Sequence, residues 1–120
     1  MIRSLPGLLV AGLVLATAGQ TDAHSLLLES VPAAGAALTA PPPTLTLRFN
    51  NRIEKALSRI RLVSGAGVVQ PLAVGVEGGA ADRLTAAVPP LGPGRWRVEW
   101  QVLSTDGHVV SGRFEFQLAP

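Results

Sequence analysis

Residues 95–104 read RWRVEWQVLS, and this stretch decides the fold class of the chain. Every second residue is large and apolar, whereas the residues between them are charged or polar; the apolar set is Trp96, Val98, Trp100 and Val102. Successive side chains of a β-strand point to opposite faces, so a period of two places these four on one face. The segment therefore predicts a strand with one apolar and one solvated face.

The same alternation recurs along most of the chain, and helical spacing is hard to find. TLTLRF (44–49) and RFEFQL (113–118) alternate clearly, and RIRL (59–62) does so over a shorter length. Weaker strands are expected at 26–31, 68–74 and 83–88, with proline and glycine turn signals between the strands. About seven short strands predict an all-β fold, an immunoglobulin-like antiparallel β-sandwich of the Greek-key type.

The first residues have the order of a secretory signal peptide. Arg3 is followed by the apolar run GLLVAGLVLATA (7–18) and then by small and polar residues. The alternative is a membrane anchor, but a spanning helix needs about 20 apolar residues and this run is interrupted too early. Two small-x-small sites permit cleavage: ATA (16–18), which the local pattern slightly favours, and TDA (21–23), which leaves His24 at the new terminus.

Composition excludes several kinds of chemistry. The chain has no cysteine, which rules out disulfides, thiolate metal sites and cysteine nucleophiles. Its one methionine is Met1, which is lost with the signal peptide, so thioether ligands are absent as well. No G-x-S-x-G motif is present to supply a serine nucleophile. From His24 onward the side-chain charge is +2, with the basic residues scattered along the strands. Without a basic run or an aromatic ladder, no nucleic-acid partner is expected.

His24, Asp106 and His108 remain as candidate metal ligands. In STDGHVVSG (104–112) the aspartate and histidine stand two apart, which is close on an extended strand or, because Asp-Gly favours hairpin turns, on a loop. Alone, this pair fits an ordinary turn better than a metal site. A terminus at His24 would add an amine and an imidazole nitrogen, giving three nitrogens and one oxygen, a set that suits Cu(II), while the missing sulfur disfavours Cu(I).

These motifs resemble the CopC family of exported copper-binding proteins. The resemblance runs from His24 to Leu118 and includes the histidine after the signal, ESVPAAGAAL (29–38), PPPTLTLRFN (41–50) and WRVEWQVLSTDGHVVSGRFEF (96–116). It implies a soluble, monomeric, periplasmic Cu(II) carrier or buffer in copper resistance or uptake, extracellular where the source lacks an outer membrane. It also implies His24, Asp106 and His108 as ligands, residues 1–23 as a cleaved signal peptide and residues 24–120 as the copper-binding domain.

The chain departs from the family pattern at two places, and two other functions remain as alternatives to copper carriage. No methionine-rich segment is present, so a Cu(II)-only type is expected, with an inner-membrane copper transporter of the CopD type as a candidate partner. Many members carry a glutamate after the second strand, where this chain has Asn50 and Asn51, with Glu54 as a weak substitute. A histidine-chelate copper monooxygenase is an alternative, but the chain is small and has no tyrosine. The other alternative is a metal-free domain that serves as an interaction module. Of these functions we expect copper carriage, without enzymatic activity.

Overall fold

Eight strands form two sheets in the computed structural model, which describes residues 26–120. Their bounds are β1 Leu27–Val31, β2 Ala37–Leu38, β3 Thr44–Phe49, β4 Arg59–Ser64, β5 Val69–Leu72, β6 Arg83–Ala87, β7 Gly94–Leu103 and β8 Val109–Leu118. A 3₁₀ turn, Lys55–Leu57, precedes β4. Across residues 26–120, none of the helical structure is long and apolar enough to cross a membrane.

The two sheets pack as the predicted sandwich. One has the strand order β1-β3-β6 and the other β2-β8-β7-β4-β5. All pairings between these strands are antiparallel except that of β2 with β8, which is parallel. The all-β sandwich prediction is confirmed. It missed the two-residue strand β2, and it began the last strand at Arg113, whereas β8 begins at Val109.

The core lies between the sheets and consists of the alternating apolar faces seen in the sequence. In β3, the side chains of Leu45, Leu47 and Phe49 are fully buried. Phe49 contacts Trp100 of β7 edge to face, with ring centroids 5.2 Å apart and an interplanar angle of 74°. Aromatic pairs favour this geometry, and the contact joins the two sheets.

Gly112 of β8 allows the close approach of Trp100, which lies opposite it in the β7–β8 pairing. A Cβ at position 112 would lie 2.7 Å from Cε2 and 2.9 Å from Cη2 of the indole, and closer still to Cζ2. Real Cβ atoms do not approach carbon so closely, so the indole occupies the space that a side chain would fill. This contact fixes the β7–β8 hairpin, the longest in residues 26–120, whose turn carries two of the candidate ligands.

Candidate metal centre

Residues 104–108 form the turn between β7 and β8. The backbone N–H of Gly107 donates to the carbonyl of Ser104 over 2.9 Å, and the N–H of Ser104 donates to the carbonyl of His108 over 2.9 Å. Gly107 has a φ of 91°, in the left-handed region that glycine enters readily. This is the hairpin loop that Asp-Gly favours. Of the two placements that the sequence allowed, the structure has the loop.

Asp106 and His108 lie together on this turn. The Oδ1 atom of Asp106 accepts hydrogen bonds from the Ser104 hydroxyl and, over 3.2 Å, from the His108 backbone N–H. Nδ1 of His108 lies 3.1 Å from the same oxygen. The Asp106 and His108 side chains are 40% and 56% exposed, so solvent and ions can reach both. The turn thus presents a carboxylate and an imidazole side by side.

The surroundings of Asp106 favour its charged form. The hydrogen bond from the Ser104 hydroxyl is the largest cause, followed by that from the His108 side chain, and together they lower the pKa of Asp106 from its ordinary 3.8 to about 2. The carboxylate is therefore ionised at all but strongly acidic pH. A metal ion that binds here does not have to displace a proton from it.

Two buried serines hold the end of β7. Ser104 is 1% exposed, and besides Asp106 its Oγ lies 3.2 Å from the His108 carbonyl oxygen, to which it can donate. Ser58 is 6% exposed; its hydroxyl donates to the Glu54 carbonyl over 2.8 Å and accepts from the Leu103 N–H over 3.2 Å. Neither serine was among the site residues predicted from the sequence. Only the S-x-D spacing of Ser104 and Asp106 could have indicated one of them.

The segment 50–54 runs beside the turn. Ile53 forms a β-bridge with Ser104, and the Thr105 N–H donates to the Arg52 carbonyl over 3.3 Å. The Glu54 N–H donates to the carbonyl of Leu103 over 2.8 Å. The backbone of Glu54 therefore supports the end of β7, and the suggestion that its side chain substitutes for the family's glutamate stays a prediction.

Asn50 fixes the start of the described chain at this same end of the sandwich. Its side-chain Oδ1 accepts a hydrogen bond from the Leu26 N–H over 2.7 Å, and its own N–H donates to the Leu26 carbonyl over 3.0 Å. In the sequence, Asn50 was notable only as a departure from the family pattern. The structure gives it a role in positioning the N-terminal segment.

The structure brings together two of the three predicted ligands. Asp106 and His108 are adjacent, whereas His24 lies outside residues 26–120 and its position is not described. Within the described range no group of three or more histidine, cysteine, aspartate or glutamate side chains is placed to hold a metal. The assignment of His24, Asp106 and His108 as metal ligands stays a prediction.

Comparison with known proteins identifies the family. The family model described as the CopC domain matches residues 27–119. The chain belongs to the CopC family. Copper resistance protein C of Escherichia coli is 31% identical over 117 residues, which cover 91% of this chain and 92% of that protein. The family resemblance expected from the sequence is thereby confirmed, and with it a copper-related function.

Solved CopC structures agree with this fold. CopC from Methylosinus trichosporium OB3b is 35% identical, with a TM-score of 0.72, covering 81% of this chain and 95% of that one. PcoC from Escherichia coli, described as a methionine-rich copper resistance protein, is 29% identical with a TM-score of 0.67, covering 80% and 99%. This CopC-family chain differs from PcoC in methionine content, because its one methionine is Met1.

Proposed function

We propose that this protein binds Cu(II) in the periplasm and acts as a copper carrier or buffer, after removal of residues 1–23. The ligands would be the amine and imidazole of His24, the carboxylate of Asp106 and the imidazole of His108. The observation that carries the proposal is the pairing of Asp106 with His108, with Oδ1 and Nδ1 3.1 Å apart on an exposed turn. Membership of the CopC family supports the choice of copper.

The attachment of Leu26 supports the inclusion of His24. Leu26 is bonded to Asn50, and the carbonyl of Arg52, two residues further on, accepts from Thr105 in the turn. Two extended residues span about 7 Å, so a residue two positions before Leu26 is within reach of this end of the sandwich. An N-terminal histidine offers two nitrogens at once, which would complete a four-donor set.

The donor types favour Cu(II) over Cu(I). Imidazole, amine and carboxylate are the nitrogen and oxygen donors that Cu(II) binds in tetragonal geometry, whereas Cu(I) prefers thiolate and thioether. From His24 onward the chain contains no sulfur. The ionised Asp106 would also neutralise part of the charge of the ion. We therefore assign the protein to Cu(II) traffic, with a membrane copper transporter as its exchange partner.

Competition titration with a chelator of known affinity tests the proposal. The His108→Ala variant should bind Cu(II) at least about 100-fold more weakly, since loss of groups that merely orient ligands already costs about 10- to 100-fold. Asp106→Asn should weaken binding less, because the amide keeps an oxygen but loses the charge. Glu115→Gln, in mid β8, removes the same charge away from the turn and serves as the matched control.

Folding must be measured alongside binding. Asp106 and His108 are exposed and do not belong to the core, so urea unfolding of the metal-free variants should change little. Unchanged Cu(II) affinity in His108→Ala, or an equal loss in Glu115→Gln, would contradict the proposed site.

A further inference from the structure

The outward face of the five-stranded sheet carries most of the positive charge of the molecule. Five arginines and two glutamates project from it, namely Arg59, Arg61, Arg95, Arg97, Arg113, Glu99 and Glu115. Their net side-chain charge is +3, whereas the other residues between 26 and 120 carry four basic and five acidic groups, or −1. The charge is therefore concentrated on one face, although the basic residues are scattered in the sequence.

A groove of about 450 Å³ runs across this face. Side chains of β4, β7 and β8 line it: Arg59, Arg61, Glu99, Gln101, Ser111 and Arg113. The groove passes between strands and not into the core, and its floor is the backbone of the sheet around Trp100 and Gly112. It is thus a shallow, polar channel with cationic sides.

Glu99 at the centre of the groove is already neutralised. Its Oε1 lies 2.6 Å from Nε of Arg61, and its Oε2 lies 2.8 Å from Nε of Arg97. The bond from Arg61 is the main reason that the pKa of Glu99 is lowered. Both carboxylate oxygens are engaged, so Glu99 leaves the flanking cations without an internal partner.

Arg59 and Arg113 are those flanking cations. Neither makes an ion pair with any residue in the described part of the chain. Arg59 lies on β4 in register with Gln101, and Arg113 lies on β8 in register with Glu99. Two strand spacings, or about 10 Å, separate β4 from β8, so the two guanidinium groups border the groove on opposite sides.

We propose that this groove docks an extended acidic segment of a partner protein, with carboxylates of that segment pairing with Arg59 and Arg113. Guanidinium groups bind carboxylates through strong, charge-assisted hydrogen bonds, as the internal Arg61–Glu99–Arg97 cluster illustrates. Gln101 and Ser111 add donors and acceptors for a peptide backbone. A flat bilayer surface would not enter a groove, and Arg59 and Arg113 lie on strands about 10 Å apart, further than one small anion reaches.

The groove lies next to the turn that carries Asp106 and His108. Ser111 is three residues from His108, about 10 Å along an extended strand. A partner protein whose acidic segment is docked in the groove would therefore lie beside the candidate copper site. Docking itself does not require copper, but its use in copper exchange rests on the proposed function.

Fluorescence anisotropy with a labelled oligoglutamate peptide tests the docking, using an oligoglutamine peptide as the uncharged probe. Oligoglutamate should bind and oligoglutamine should not, with an affinity that falls as salt is added. The double variant Arg59→Gln/Arg113→Gln should lose at least about tenfold in affinity, because two charge-assisted bonds are removed. Arg48→Gln/Arg83→Gln removes the same charge from the other sheet and should lose less than about twofold.

A second perturbation leaves the arginines in place. Ser111→Glu adds a negative charge inside the groove and should weaken oligoglutamate binding as well. Urea unfolding of every variant checks that the sheet is intact. An equal loss in the Arg48/Arg83 control would contradict docking in the groove. If equimolar inorganic phosphate displaced the peptide, the groove would be a small-anion site instead. If the groove bound anionic phospholipid vesicles and not the peptide, it would be a membrane-binding surface.

Cu(II) titration of the same samples separates this proposal from the proposed function. The Arg59/Arg113 double variant should keep the Cu(II) affinity of the unmodified protein, and oligoglutamate should bind with or without Cu(II). If the unmodified protein failed to bind Cu(II) but bound oligoglutamate through Arg59 and Arg113, the copper assignment would be wrong and the docking groove would stand.

Discussion

Replacing Gly112 by alanine tests how the β7–β8 hairpin is held together. The added Cβ would lie 2.7 Å from Cε2 and 2.9 Å from Cη2 of Trp100, well inside ordinary van der Waals contact. Trp100 is 8% exposed and is packed against Phe49, so the indole has little space into which it can move. The substitution should therefore destabilise the fold through overpacking.

The size of the effect follows from two opposing contributions. Overpacking a core typically costs about 1–3 kcal/mol. A Gly→Ala change also stiffens the unfolded chain, which offsets about 0.4–1 kcal/mol. We expect a net loss of about 1–2 kcal/mol, and with a urea m-value of about 2 kcal/mol/M the unfolding midpoint should fall by about 0.5–1 M.

Urea unfolding followed by tryptophan fluorescence is the assay, with Gly92→Ala as the matched control. A Cβ at Gly92 meets nothing within 4 Å, so only the stiffening of the unfolded chain remains, and Gly92→Ala should leave the free energy of unfolding unchanged or raise it by up to about 1 kcal/mol. In a Trp100→Phe background the smaller ring should reduce the cost of Gly112→Ala. A Gly112→Ala midpoint equal to that of the unmodified protein, or a cost that persists fully with Phe at 100, would refute this reasoning.

Four further predictions concern the candidate site. Ser104→Ala removes the largest cause of the lowered Asp106 pKa, so a ¹³C-NMR titration should show that pKa rising from about 2 toward 3.8, with Cu(II) affinity falling about tenfold. Because Asp106 is exposed, its ionised carboxylate should stabilise the fold only slightly above pH 4, and because its folded pKa is depressed this small contribution should be lost as the pH falls toward 2, where the urea midpoints of the unmodified protein and Asp106→Asn should coincide. Asn50→Ala should loosen Leu26 and weaken Cu(II) binding, whereas Asn50→Asp keeps the accepting oxygen and should not. A strong reductant with a soft Cu(I) chelator should remove the copper completely; retention would show that the donor set is wrong.

The sequence was sufficient for the fold class because each buried strand face is made of alternating large apolar residues. The strand β7 alone shows the pattern over most of its length, and the structure buries Val98, Trp100 and Val102 of its apolar face and partly buries Trp96. The first part of β8 was missed because VVSG contains small residues with weak alternation. It is a strand because it pairs with β7 over its whole length and because Gly112 admits Trp100. The strand β2 was missed because its two residues are too few to show an alternating pattern.

The candidate site was predictable only where its residues are close in sequence. The Asp106-x-His108 spacing was visible, and the hairpin turn brings the two side chains together. The roles of Asn50 and Ser58 depend on contacts with Leu26 and Leu103, which are made by folding and leave no local pattern. The cationic groove was hidden for the same reason, because its arginines lie on β4 and β8, two strands that are about fifty residues apart in sequence.

The proposed Cu(II) site is complete only if His24 is the N-terminal residue and joins Asp106 and His108. One comparison of Cu(II) affinities tests this requirement. The Cu(II) affinity of a chain that begins at His24 is measured by competition titration beside that of a chain that begins at Ala23. The extra residue converts the His24 amine into an amide, which is not basic and is a poor ligand at neutral pH. We expect Cu(II) binding to be weaker by at least about 100-fold in the longer chain. Equal affinities in the two chains would contradict it.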